Sequence, residues 1–270
     1  MTRKVILLTI LFFSLVPTQA ADWQWSISVR GEVSSETNAQ PRAFLWIPPH
    51  CRQVRAVVVG MHNMIEEGIF EQTEFRKTMS ELGFAIIWTS PILNGSQSWE
   101  GHDVQQTFDN MMNDLANVSG YAELKYAPIV PLGHSAQATY PWNFAACNPD
   151  RTLAILSVHG DAPQTNLTGF GRKNMDWGNK TVDGIPGLMI EGEYEWWEAR
   201  VQPALNYRKA HPGSPVSFLC DAGHGHFDYS DEMIHYLCLF LKKAASLRLP
   251  KEMSIYSPPK LLSVDPSKGW

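Results

Sequence analysis

Ala127-Pro-Ile-Val-Pro-Leu-Gly-His-Ser-Ala-Gln-Ala138 sets Ser135 between a short apolar run and a stretch of helix-compatible composition that continues through Tyr140, Phe144 and Ala146. The run reads as a buried strand and the continuation as a helix, so the serine falls on the turn between them. A tight strand-to-helix turn holds a hydroxyl above the edge of a sheet, and the small neighbours Gly133 and Ala136 let the two backbones come close. The first amides of the following helix also aim a positive dipole end at any negative charge that develops there. Gln137 stands where a second glycine would complete Gly-x-Ser-x-Gly. The competing reading is a serine that only caps the helix, so its partners must decide.

Outward from this segment, short apolar runs bounded by turn residues recur at Trp23 to Val29, Arg42 to Ile47, Ala56 to Gly60, Phe84 to Thr89, Thr152 to Val158, Gly187 to Ile190 and Val216 to Cys220. Between them Phe70 to Leu82, Val104 to Asn117, Ala136 to Ala146, Glu195 to His211 and Ser230 to Leu247 suit helices. The first two strands look like an opening pair. The alternation that follows predicts an α/β fold with a mostly parallel central sheet of about eight strands and helices on both faces. Ser230 or Asp231 is placed to cap the last helix ahead of Met233, Ile234, Leu237 and Leu241. His159 to Ile185, rich in Gly, Asn, Asp and Thr, is too long for an ordinary connection and reads as an insertion forming a lid or pocket wall.

Two later segments offer partners for Ser135. Pro186-Gly-Leu-Met-Ile-Glu-Gly-Glu-Tyr-Glu195 runs from a strand into a glycine-containing loop and positions Glu195 as an orienting carboxylate, with Asp161 as its rival from the preceding strand's loop. Val216-Ser-Phe-Leu-Cys-Asp-Ala-Gly-His-Gly-His-Phe-Asp-Tyr-Ser230 carries two histidines on the loop before the last helix. His226 is preferred over His224 as general base because Gly225-His226-Phe227 leads directly into that helix. The order serine, acid, histidine allows one ring nitrogen to reach Ser135 while the carboxylate fixes the other. Arg55-Ala-Val-Val-Val-Gly-Met-His-Asn-Met64 ends an early strand in a loop suited to an oxyanion donor, with the amides of Met64 and Ala136 as candidates.

The N-terminus pairs Arg3 and Lys4 with an apolar run from Val5 to Val16 and closes on Pro17-Thr-Gln-Ala20, the pattern of a signal peptide over residues 1–20. The run is too short for a membrane span, so export to a periplasmic or extracellular space without membrane insertion is expected, with residues 21–270 as one catalytic domain. A formal charge of −5 without a basic cluster argues against a nucleic-acid partner. Cys51, Cys147, Cys220 and Cys238 show no metal-ligand spacing; mostly free thiols are expected, with Cys220 and Cys238 as small buried hydrophobes. No metal and no cofactor is called for.

Gly133-His-Ser-Ala, Gly192-Glu-Tyr-Glu and Gly225-His-Phe together resemble the α/β-hydrolase superfamily across nearly all of residues 21–270. The resemblance implies ester or amide hydrolysis at the carboxyl edge of the sheet. Thr139-Tyr-Pro-Trp-Asn and Glu195-Trp-Trp are similar to exported polysaccharide esterases, pectin methylesterases of this type among them, which implies an esterified carbohydrate as substrate. Trp142, Trp177 and Trp196 are the candidate sugar-stacking residues, core packing being the alternative. Arg172, Lys173 and Arg200 are candidates for meeting a sugar acid. A carbohydrate acetylesterase, a peptidase or amidase on the same residues, and a non-catalytic carbohydrate-binding module remain alternatives.

Overall fold

Six strands in the middle and later chain are short, apolar and rich in β-branched residues, so each is stable only when both faces are covered. In a computed structural model describing residues 23–35, 37–168, 174–195 and 198–268, they form the parallel part of an eight-stranded sheet. The strands are β1 (Trp25–Ser28), β2 (Arg42–Trp46), β3 (Ala56–Met61), β4 (Phe84–Ser90), β5 (Ile129–His134), β6 (Ile155–Val158), β7 (Gly187–Gly192) and β8 (Val216–Asp221). Their spatial order is β1-β2-β4-β3-β5-β6-β7-β8, with β1 and β2 antiparallel to their neighbours and the rest parallel. Because β3 lies between β4 and β5, the chain leaves it toward opposite sides. That reversal opens a crevice at the carboxyl ends of β3 and β5, where ligands bind in open α/β sheets.

Alternate residues of each strand feed different cores. Val58, Ile86, Leu132 and Leu188 meet α1 (Glu66–Glu71), α2 (Thr73–Leu82) and α6 (Asp231–Arg248) on one face. Val57, Val59, Ile87 and Ile129 meet α3 (His102–Ser119) and α4 (Thr139–Cys147) on the other, where Ile155 and Met189 continue the layer beneath α4 and α5 (Glu198–Ala210). The helix expected from Phe70 is broken at Gln72, whose backbone is extended. A continuous helix would set Phe70 and Phe75 about 140° apart around its axis. The break brings both rings into one core, with centroids 6.0 Å apart.

Residues 1–20, expected as a signal peptide, lie outside the described residues. Among the described residues no helix is long and apolar enough to cross a membrane. All four cysteines are free thiols. Cys238 is buried in α6 as expected, but Cys220 is exposed, because β8 is an edge strand with β7 as its one neighbour. The cap at the start of α6 is Ser230, whose hydroxyl accepts the Met233 amide at 2.8 Å and donates to Asp221. Ser230→Ala is expected to cost about 1 to 2 kcal/mol, read from the urea unfolding midpoint.

Candidate active site

The crevice is organised by the turn that closes β5. A Cβ on Gly133 would fall 2.0 Å from the carbonyl oxygen of Gln137, so the helical turn Ser135–Gln137 folds back directly over the strand end. The fold-back forces Ser135 to φ +52°, a left-handed conformation costly for a residue with a Cβ. Gln137 replaces the second glycine without harm. The close approach is met from the next loop, where a Cβ on Gly160 would come within 1.9 Å of the Ala138 methyl.

Ser135 Oγ lies 2.7 Å from Nε2 of His226, on the loop between β8 and α6. Nδ1 of the same ring donates to Oε2 of Glu195, on the tight turn that follows β7. Glu195 Oε1 takes a second ring N–H from the buried His159, and the Gly192 amide donates to that oxygen at 3.2 Å. Arg200 Nη1 stands 3.3 Å from Oε2 and 2.8 Å from Glu191 Oε2. Burial alone would raise the Glu195 carboxyl, but the hydrogen bonds from His159 and His226 hold it well below the usual carboxylate range. Behind it, burial pushes the Glu191 carboxyl up in spite of its guanidinium partner.

The rival residues are engaged elsewhere. His224 Nδ1 donates to the Ala222 carbonyl at 2.9 Å, and its ring is partly exposed on the outer side of the loop. Asp161 is wholly buried, but its carboxylate accepts the Thr168 amide at 3.0 Å and the Thr168 hydroxyl at 2.6 Å. That hydroxyl also lies 2.8 Å from the Ser135 carbonyl oxygen, so Asp161 pins the insertion against the serine's own turn. The described part of 159–185 forms turns along α4, and Phe170, Arg172 and Lys173 lie outside the described residues.

A second buried carboxylate ties the neighbouring loops together. Glu66 Oε1 accepts the His134 amide at 2.9 Å and Oε2 accepts the Met64 amide at 3.0 Å. Met64 is therefore a correction to the sequence expectation: its N–H already has a carboxylate acceptor. The Asn63 and Ala136 amides have no acceptor among the described residues. The Asn63 side chain donates to the His134 carbonyl at 2.7 Å, and His134 Nε2 donates to the His226 carbonyl at 2.7 Å. Burial first of all holds the His134 ring neutral, down to about 3, which suits that one-sided bonding.

Comparison with known protein families finds no match, and no curated protein matches. Solved structures do. A thermostable esterase superposes with a TM-score of 0.55 at 11% identity, over 82% of this chain and 63% of its own. Est1E from Butyrivibrio proteoclasticus gives 0.52 at 15%, over 83% of this chain and 99% of its own. A serine hydrolase without a lid from Xanthomonas campestris gives 0.51 at 13%, over 85% of this chain and 96% of its own. The chain has the α/β-hydrolase fold.

Within this α/β-hydrolase fold several expected substrate contacts are corrected. Trp142 is buried in the core under α4, with its Nε1 on the Asp161 carbonyl at 2.8 Å. Trp177 is buried too, with its Nε1 on Asn143 Oδ1 at 2.8 Å, so neither ring can stack on a ligand. Arg200 faces inward to Glu191 and Glu195 rather than outward to a sugar acid. Trp196 lies outside the described residues. Among the described residues, the large apolar side chains exposed beside the site are Met64, Leu167, Tyr194 and Phe227. Donor atoms of His159, Glu195 and His226 lie within 4.8 Å of one another, close enough for a metal, but the facing ring nitrogens are already hydrogen-bonded to the carboxylate. Sequence reading missed His134, His159 and Glu66; the only local signal was the position of each beside a strand end.

Two outcomes follow from this packing. Gly133→Ala is expected to cost about 2 to 3 kcal/mol, because the new methyl meets backbone rather than a flexible side chain; the urea midpoint measures it. Burial raises the Glu66 carboxyl from 4.5 to about 7, so across that window the folded chain keeps a proton that the unfolded chain releases. Stability therefore falls as pH rises through the window, by on the order of 3 kcal/mol, and Glu66→Gln is expected to flatten this slope in urea titrations.

Proposed function

We propose that this protein is a serine hydrolase that cleaves carboxylic esters through an acyl-enzyme on Ser135. The observation that carries the reading is the unbroken chain from Ser135 Oγ to His226 Nε2 at 2.7 Å and from His226 Nδ1 to Glu195. His226 takes the Ser135 proton as Oγ bonds to the ester carbonyl carbon. The imidazolium returns that proton to the departing alcohol, and water, deprotonated by the same ring, then releases the acid. Glu195 keeps the ring in the tautomer with Nε2 free to accept and stabilises its charged form. The Ala136 N–H is one oxyanion donor, and the Asn63 N–H takes the role first given to Met64. Each such donor is worth about 3 kcal/mol of barrier.

The substrate proposed is an ester on a carbohydrate, such as a pectin methyl ester, met outside the cytoplasm after removal of residues 1–20. The supports are the resemblance of the motifs, the export-type N-terminus, and the exposed rings of Tyr194 and Phe227 beside the site, which take over the stacking role withdrawn from Trp142 and Trp177. A cavity of about 160 Å³ is lined by Asn94, Ser96, Gln97 and Asn166, and Ser96 Oγ meets Gln137 of the elbow at 3.5 Å. Its lining is uncharged and sets hydroxyl and amide groups beside the apolar Ile92 and Leu93, which suits the hydroxyls and ring faces of a sugar, and Asn166 of the insertion forms part of its wall.

A fluorophosphonate probe is expected to label Ser135 in the wild type and not in Ser135→Ala; an unlabelled, folded wild type would overturn the reading. Glu195→Gln is expected to slow acylation roughly a thousandfold, and Asp161→Asn far less. Methanol release against acetate release from esterified polysaccharides separates a methyl ester from an acetyl ester.

A further inference from the structure

A carboxylate that orients a base needs one ring N–H; Glu195 receives two. His159 leaves β6 with φ +49°, its amide donating to the Ile190 carbonyl at 2.8 Å and its carbonyl accepting Arg200 Nη1 at 3.1 Å. The adjoining Gly160 is packed too tightly against Ala138 to admit a Cβ, so the backbone that aims the ring cannot shift. The ring is wholly buried, Nδ1 faces Glu195 Oε1, and Nε2 has no partner among the described residues. A buried N–H without an acceptor is costly, so the favoured tautomer carries its proton on Nδ1 and gives it to the carboxylate.

We propose that His159 is a positioning residue for the hydrolytic reaction: by holding Oε1 it fixes the Glu195 carboxylate with Oε2 on the His226 ring, and it draws off part of the charge that His226 faces. This rests on the hydrolase reading above. A surface-facing carboxylate would be steadied by water; here the second imidazole replaces it. The groups that face His226 are Glu195 and, behind it, Glu191 from β7, Arg200 from α5, His134 from β5 with Glu66 beneath it, and His159 with Asp161 from the loop after β6. His224, Asp221 and Asp228 belong to its own loop and bond there. The Gly192 amide also donates to Oε1, at 3.2 Å, but among the described residues His159 is the one side chain that does so.

The test compares wild type with His159→Phe, which keeps the bulk and removes the N–H, and His159→Asn, whose amide N–H falls near the original donor and tolerates the left-handed backbone. Labelling rate is measured against pH with the fluorophosphonate probe, and ring N–H signals are recorded by NMR. In His159→Phe the plateau rate is expected to fall about tenfold as the carboxylate loosens. The acidic limb is expected to move up by about half a pH unit, because the undivided charge on Oε2 favours the protonated base. His159→Asn restores both. A filler role for His159 would leave the limb in place and show no rescue by asparagine, and that result overturns the proposal. If His159→Phe does not fold, the wild-type spectrum decides: two carboxylate-bonded ring N–H signals support the shared acid, and a single one overturns it. A wild type with both signals but no labelling removes the hydrolase reading and leaves the shared carboxylate standing.

Discussion

The backbone approach between Gly133 and the Gln137 carbonyl is the constraint on which the rest of the site depends. Only with that fold-back does Ser135 take its left-handed conformation and lift its hydroxyl into the crevice between β3 and β5. Everything else converges on this fixed point from separate loops. Glu66 braces the strand end from the β3 side, Thr168 braces the turn from the insertion, and His134 reaches across to hold the backbone of His226. The serine's geometry is thus set by backbone contacts, while the groups its hydroxyl faces are the imidazole and carboxylate delivered from the later loops.

Those two halves are built with different chemistry. The β3 and β5 side uses buried, near-neutral groups whose bonding is to main-chain amides and carbonyls, and these change little as charge develops. The β6 and β7 side gathers acids and a guanidinium: Glu191, Glu195 and Arg200 lie together below the two imidazoles. A pre-arranged environment of this kind stabilises a charged intermediate without having to reorganise when it forms.

Much of this was legible in the sequence where the signal is local. The strand runs were found because a strand buried on both faces must be apolar throughout, and Ser135, Glu195 and His226, which the structure brings together, each sit on a glycine-bearing turn at a strand end. What was illegible depends on partners far along the chain. His159 meets a carboxylate 36 residues away and Glu66 an amide 68 residues away, and neither has a flanking pattern that announces it. The tryptophans failed for a related reason. A ring on α4 is apolar whether it faces a ligand or a sheet, and Trp142 faces the start of β7, where Gly187 leaves the space it fills.

The double use of Glu195 also bears on how such a chain can drift. A lone acid could migrate to a neighbouring strand end, since the base asks only for one oxygen at one place. An acid gripped on both oxygens by rings from two different loops cannot move without stranding a buried imidazole. Position 159 therefore constrains position 195: a replacement that still offers a donor to Oε1 leaves the carboxylate held, one that does not frees that oxygen, and the acid stays tied to the turn after β7.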